Sequence, residues 1–121
     1  MIIGLHHAQI TIPKGREAEA RAFYCDLLGL AETPKPDSLA GRGGFWLMVG
    51  DCSVHVGTED GVERRRTKAH LAYEVTDVAR WRTVLEEAGV PTVDEPLIPG
   101  YDRFHCHDPF GNRFELIQRV G

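Results

Sequence analysis

The sequence has few cysteines, no long apolar run and no excess of positive charge. Its 3 cysteines include no Cys-x-x-Cys pair, so a disulfide framework is not indicated and a reducing compartment is expected. Lys and Arg number 14 against 18 Asp and Glu, and the net charge of −4 argues against nucleic acid as the main partner. No apolar stretch is long enough for a membrane helix, and the first residues lack a signal-peptide pattern. We therefore expect a cytoplasmic protein with no nucleic-acid and no membrane partner.

The hydrophobic and charged fractions of the sequence are typical of a folded domain. Hydrophobic residues make up 42% of the chain and charged residues 26%, so the chain can bury a core. Its 121 residues fall within the usual size of one domain, about 100–150 residues. We predict a single domain over residues 1–121.

The predicted elements repeat their order once along the chain, in two modules joined by a linker. Residues 1–60 form module one, residues 61–68 the linker and residues 69–121 module two. The elements predicted for module one are strands at 4–12, 31–33, 45–49 and 53–57 and a helix at 17–28. Those predicted for module two are strands at 70–76, 92–95, 103–107 and 112–118 and a helix at 78–88. Both modules therefore have the order βαβββ.

Local signals support the helices and the linker. Each predicted helix ends at a glycine followed by an apolar residue, at Gly29 and at Gly89. Either Thr76 or Asp77 is a candidate N-cap of the second helix. The basic run that begins at Arg64 is interpreted as part of a solvated loop.

Four predicted strands each have one face that carries a candidate metal ligand. His70 follows His7 by 63 residues, each near the start of its module, and Glu115 follows His55 by 60 residues, each in a final strand. If the modules pair around a pseudo-twofold axis, these side chains converge. Two imidazoles and a carboxylate suit a borderline divalent ion and leave positions open for a substrate. A lone strand histidine is usually structural, and His55 is left open between fourth ligand and substrate contact.

Other side chains are candidates for contact with a substrate. A guanidinium group can hold a carboxylate or phosphonate by two hydrogen bonds, and Arg103 is a candidate for this role. A solvated surface role is favoured for Arg42. Alternation along the strand places Cys106 on the face opposite His105, so these neighbours do not form a small metal site. The candidate substrate-binding residues are Gln9, Trp46, Tyr101, Arg103 and His105.

Three segments carry a resemblance to a known family. They are Leu5-His6-His7-Ala8, the stretch from His70 to Val75, and the stretch from Asp108 to Leu116. With these motifs the whole chain resembles the vicinal oxygen chelate superfamily, which includes glyoxalase I, fosfomycin-resistance thiol transferases, extradiol dioxygenases and bleomycin-resistance proteins. The resemblance implies an α+β fold of two βαβββ modules related by pseudo-twofold symmetry, with a curled mixed sheet around a cleft.

The resemblance also implies a site. His7, His70 and Glu115 match the three recurring ligand positions of the family. The position that matches His55 carries a carboxylate in glyoxalase I, so the ligand set departs from that enzyme here. Zinc, nickel, cobalt, manganese and iron all tolerate such a set. Glu115 is also the candidate catalytic residue, as the group that moves a proton.

The function implied is that of a divalent-metal-dependent glyoxalase-like enzyme, a lyase, isomerase or related transferase. Its substrate would be a small molecule with two neighbouring oxygens, and small members of the family usually form homodimers. Two alternatives stay open. One is a metal-free protein that binds a drug or metabolite, like the bleomycin-resistance members, although those generally lack the ligand triad. The other is a non-haem iron dioxygenase, although ring-cleaving members usually join two copies of the unit in a longer chain.

Overall fold

Two four-stranded mixed sheets, one in each half of the chain, carry the fold. The computed structural model describes all 121 residues, which divide into a first unit, Met1–Val62, and a second unit, Glu63–Gly121. No helix has the length and apolar character needed to cross a membrane.

The first unit orders its strands β1-β4-β3-β2. Strand β1 runs parallel to β4, and the other pairs are antiparallel. The strands are β1 His7–Ile12, β2 Ala31–Thr33, β3 Phe45–Val49 and β4 Cys52–Thr58. Helix α1 spans Glu17–Arg21 and continues into a π-helix over Ala22–Leu27, and a 3-10 helix spans Asp37–Arg42.

The second unit orders its strands β5-β8-β7-β6, with β5 parallel to β8 and the other pairs antiparallel. The strands are β5 His70–Glu74, β6 Val93–Asp94, β7 Tyr101–His107 and β8 Arg113–Arg119. Helix α2 spans Val78–Glu87, and a short 3-10 helix spans Arg64–Arg66. Because the strand orders of the two units correspond one to one, the predicted repeat of the βαβββ module is confirmed.

The repeat extends to a side-chain arrangement that the sequence did not suggest. In each unit a helix arginine lies over the ring of a buried phenylalanine and forms an ion pair with an acid on the short strand. The guanidinium carbon lies 4.6 Å from the ring centroid in the first unit and 4.7 Å in the second. The ion pairs measure 2.8 Å and 2.7 Å. The residues are Arg21, Phe45 and Glu32 in the first unit and Arg82, Phe104 and Asp94 in the second.

Each sheet buries one face, as the alternation predicted. In β4, Val54 and Val56 are buried and His55 between them is partly exposed. In β8 the alternation is broken, because Glu115 is buried together with Phe114 and Leu116 on either side of it. A buried carboxylate requires polar or charged partners.

The first helix differs from the uniform helix predicted over 17–28. The N–H of Leu28 donates to the carbonyl of Phe23, five residues back, at 3.0 Å. Phe23 and Leu28 are both buried, although an α-helix would place residues five apart about 140° apart around its axis. The wider turn brings both to the core side, while Leu27 is only partly buried.

Two further predictions are resolved by the second unit. Asp77 is the N-cap of α2, because its Oδ1 accepts from the N–H of Arg80 at 3.1 Å. The expected solvated loop at Arg64 is wrong, since this residue is 6% exposed and begins a 3-10 helix. The cause is packing: a Cβ built on Gly111 would lie 2.7 Å from Arg65 Cγ, so the turn before β8 lies directly against this segment.

Candidate functional site

Three parallel rings lie on the exposed face of the first unit. The ring of His55 is centred 3.9 Å from that of Trp46 with an interplanar angle of 2°, and 4.1 Å from that of His7 with an angle of 14°. The sheet explains the stack, because His55 pairs with Trp46 of β3 on one side and with Gln9 of β1 on the other. Four predicted site residues of the first unit are thus brought together.

The imidazole of His55 is biased toward its neutral form. Burial lowers its pKa, and the nearby imidazoles of His7 and His6 lower it further. The Nδ1 atoms of His6 and His7 lie 3.0 Å apart, so one ring donates to the other. A neutral imidazole is the form that binds a metal or stacks on a neutral ring.

A cavity of about 300 Å³ in the first unit opens beside the stack. Gln9, Trp46 and His55 line it, together with Lys35 and Arg42. Lys35 was not among the predicted site residues, because nothing in the sequence around it indicates that it lies near β1, β3 and β4.

A side chain at position 57 would displace Gln9 from its place in this cavity. A Cβ on Gly57 would lie 2.5 Å from Nε2 of Gln9, so the glutamine side chain occupies the space above the glycine.

The buried carboxylate of Glu115 is the centre of the site in the second unit. Its Oε1 accepts a hydrogen bond from Arg103 Nη1 at 2.8 Å and lies 3.8 Å from His70 Nε2. The side chain of Glu115 is 6% exposed and that of Arg103 is 17% exposed. The guanidinium therefore compensates a charge that would otherwise be costly to bury.

The tautomer of His70 follows from its second contact. Its Nδ1 lies 2.8 Å from the carbonyl oxygen of Lys68, and a carbonyl only accepts, so Nδ1 is the protonated nitrogen. The other ring nitrogen, Nε2, is the atom that lies 3.8 Å from Oε1 of Glu115. A backbone carbonyl that orients an imidazole in this way is typical of the surroundings of a metal ligand.

The pair of His70 and Glu115 fits a divalent ion. Two atoms bound to one ion at about 2.1 Å lie at most about 4.2 Å apart, and the observed 3.8 Å is within that limit. A lone pair that faces a carboxylate oxygen is also unfavourable unless a cation or a proton lies between them. Neither unit by itself groups three or more His, Cys, Asp or Glu side chains that could hold a metal.

The remaining predicted substrate residues of the second unit have partners within it. The Nε and Nη2 of Arg103 donate to the carbonyl of Pro96 at 3.1 and 2.8 Å, besides the contact with Glu115. The ring of Tyr101 has the guanidinium of Arg119 above it, 5.7 Å from its centroid.

His105 belongs to a cluster that the sequence analysis missed. Its Nδ1 is hydrogen-bonded to Oε1 of Glu95, and the same oxygen accepts from Arg113 Nη2. His105 pairs across the ladder with Glu115, so the cluster adjoins the buried carboxylate. Glu95 lies just after the two-residue strand β6, and no sequence signal indicated that it would reach β7 and β8.

The cluster predicts how stability depends on pH. Burial raises the pKa of Glu95, but hydrogen bonds from Arg113 and His105 outweigh it, and the net pKa lies below its usual value. A carboxyl of lowered pKa contributes stability that is full above its unfolded pKa and is lost as the pH falls through its folded pKa. We expect Glu95→Gln to lower the free energy of unfolding at neutral pH and to flatten its fall below about pH 5.

Urea unfolding at a series of pH values measures this effect. Glu87→Gln is the control, because Glu87 is an exposed carboxylate at the C-terminal end of α2. If the free energy of unfolding of Glu95→Gln falls below about pH 5 as steeply as that of the wild type, the prediction is wrong.

One known protein family matches almost the whole chain. The model of the Glyoxalase family, described as the glyoxalase/bleomycin resistance protein/dioxygenase superfamily, matches residues 4–116. The chain belongs to this superfamily. The match spans both units of this chain and includes all four of its predicted metal ligands. No curated protein matches the sequence significantly.

Solved structures of the superfamily share the fold. A glyoxalase family protein from Bacillus anthracis is 37% identical with a TM-score of 0.90, over 98% of this chain and 97% of that one. A glyoxalase/dioxygenase from Nostoc punctiforme is 21% identical with a TM-score of 0.79, over 98% and 92%. A mutant of the fosfomycin resistance protein FosX from Listeria monocytogenes, complexed with Mn(II) and 1S,2S-dihydroxypropylphosphonic acid, is 19% identical with a TM-score of 0.76, over 100% and 92%. The α+β fold of this superfamily is thereby confirmed.

Proposed function

We propose that the chain is a divalent-metal-dependent glyoxalase-like enzyme, a lyase, isomerase or related transferase that acts on a small oxygen-chelating molecule. The proposed metal ligands are His7 and His55 of the first unit and His70 and Glu115 of the second. The observation that carries the proposal is the pair of His70 and Glu115, in which Nε2 of an imidazole oriented by a backbone carbonyl lies 3.8 Å from a buried carboxylate.

The similarity to FosX supports the use of a metal by the fold. That protein was solved with Mn(II) and a phosphonate that carries two neighbouring hydroxyl groups. Histidine and carboxylate ligands suit Mn²⁺, Zn²⁺, Ni²⁺, Co²⁺ and Fe²⁺ alike, so the donor set leaves the choice of ion to measurement. A bound ion would act as a Lewis acid toward two neighbouring oxygens of the substrate.

The residues of the second unit then have separate tasks. Glu115 accepts a proton at a carboxylate oxygen. Arg103 holds that carboxylate in place through its 2.8 Å hydrogen bond, and its burial keeps bulk water away from the carboxylate. The Lys68 carbonyl fixes the orientation of His70. Tyr101 and His105 are assigned to substrate contact, as the sequence analysis proposed.

The residues of the first unit orient the substrate. Trp46 offers a flat apolar surface and Gln9 an amide that both donates and accepts, and both line the cavity beside His55. The homodimer expected from the family resemblance belongs to the same proposal, and the mass of the protein in solution tests it.

Metal titration tests the proposed function directly. We expect untagged, chelator-treated protein to take up about one Mn²⁺, Zn²⁺, Ni²⁺, Co²⁺ or Fe²⁺ per chain, measured by calorimetry and elemental analysis. His70→Ala should lose this binding, because it removes the oriented Nε2. His107→Ala is the control, since it changes a partly exposed histidine outside the predicted ligand set. Wild-type protein that takes up none of the five ions would overturn the proposal.

A further inference from the structure

The cavity of the first unit has two cationic side chains that the proposed function does not use. Lys35 and Arg42 both line it, and none of its lining residues is acidic. This is notable in a chain with a net charge of −4. Lys35 Nζ donates to the carbonyl of Gly43 at 2.7 Å, which leaves two of its three N–H groups for another acceptor.

The backbone holds both cations at this place. Gly44 has a φ of +77°, and a Cβ there would lie 2.1 Å from the carbonyl oxygen of Val56, so the loop before β3 lies directly against β4. Arg42 ends the 3-10 helix two residues before Gly44. Lys35 precedes that helix, and its hydrogen bond to the Gly43 carbonyl holds its side chain beside the residue that follows the helix.

The carboxylate of Glu17 supports the loop and is not among the groups that line the cavity. Glu17 Oε2 accepts from the N–H of Gly44 at 3.3 Å. The other lining side chains include the amide of Gln9, the hydroxyl of Thr58, the ring of Trp46 and the aliphatic side chains of Leu39 and Val56.

We propose that this cavity binds the anionic group of a small organic acid, a carboxylate, phosphonate or phosphate, with Lys35 and Arg42 as its counter-charges. Arginine pairs with such oxyanions through two parallel hydrogen bonds, and lysine adds a point charge. A cavity of about 300 Å³ suits a small molecule. The inference rests on the proposed function in one respect: His55, a proposed metal ligand, lines the same cavity, so the anion would belong to the substrate.

Fluorescence of Trp46 tests the inference without a metal. The chain has two tryptophans, and Trp81→Phe leaves Trp46 as the only one. Chelator-treated protein in a buffer free of oxyanions is titrated at constant ionic strength with methylphosphonate, inorganic phosphate and acetate. We expect saturable binding of at least one probe. Phosphonate or phosphate binding alone assigns a phosphorus oxyacid as the substrate group, and acetate binding alone assigns a carboxylic acid.

Variants show whether the two cations are responsible. Arg42→Gln and Lys35→Gln should each weaken the binding about tenfold, since each removes charged hydrogen bonds to the anion. Arg42→Gln is the cleaner of the two, because Lys35 also supports the loop through Gly43. Lys14→Gln, an exposed lysine that does not line the cavity, should leave binding unchanged.

The outcomes separate this inference from the proposed function. If no probe saturates, or if Arg42→Gln and Lys35→Gln bind as the wild type does, the inference is wrong, whatever the metal titration gives. If the anion binds through Lys35 and Arg42 but no ion is taken up, the inference stands and the metal-dependent function fails.

Discussion

Glu115→Gln is expected to lower the affinity for the divalent ion by more than about 100-fold and to abolish metal-dependent turnover. Even the loss of a group that only supports a ligand costs about 10–100-fold, and this change removes the ligand's charge itself. Glutamine keeps the size of the side chain and an oxygen for Arg103, so the fold is retained. Alanine would leave the guanidinium buried without its partner, which costs about 3–5 kcal/mol.

Thermal unfolding with and without the ion measures the effect. At a concentration 100 times its Kd, an ion that binds only the folded wild-type protein stabilises it by about 2.7 kcal/mol, and the variant should gain almost none. Glu74→Gln is the matched control, because Glu74 is an exposed carboxylate on β5 of the same unit. An ion-induced stabilisation of Glu115→Gln equal to that of the wild type would remove Glu115 from the ligand set.

Leu47→Ala is expected to destabilise the protein by about 2–5 kcal/mol. Leu47 is completely buried on β3, so truncation leaves a cavity as well as removing apolar contacts. Met48, the next residue on the same strand, faces the other way and is 40% exposed. Met48→Ala should change the free energy of unfolding by less than about 0.5 kcal/mol.

Chemical denaturation of the two variants side by side tests the orientation of β3. The two substitutions differ by one position, and a strand shifted by one residue would exchange their effects. Equal losses of stability, or a larger loss for Met48→Ala, would show that the faces of β3 are assigned wrongly.

The strands and the repeat were predictable because they depend on local patterns. Alternation predicted the buried face of β4, and the glycine at position 29 or 89 predicted where each helical segment ends. The break in the alternation at Glu115 was not predictable in this way. It depends on Arg103, which lies 12 residues away on the neighbouring strand.

The parts of the site that were missed depend on contacts between distant segments. Glu95 reaches His105 and Arg113 from the end of a two-residue strand, and Lys35 reaches the cavity from a loop. Neither residue lies in a motif. Arg42 was favoured as a solvated surface residue, and only the cavity connects it with Lys35.

The π-helical segment Ala22–Leu27 has a consequence for how related sequences should be aligned. A π-turn accommodates one residue more than an α-turn between the same two ends. A relative with one residue fewer here can form a continuous α-helix and still enter and leave the segment at the same points. A single gap placed in this helix is therefore structurally sensible, and moving that gap into a neighbouring loop would misalign Phe23, Tyr24 and Leu28 with the wrong core positions.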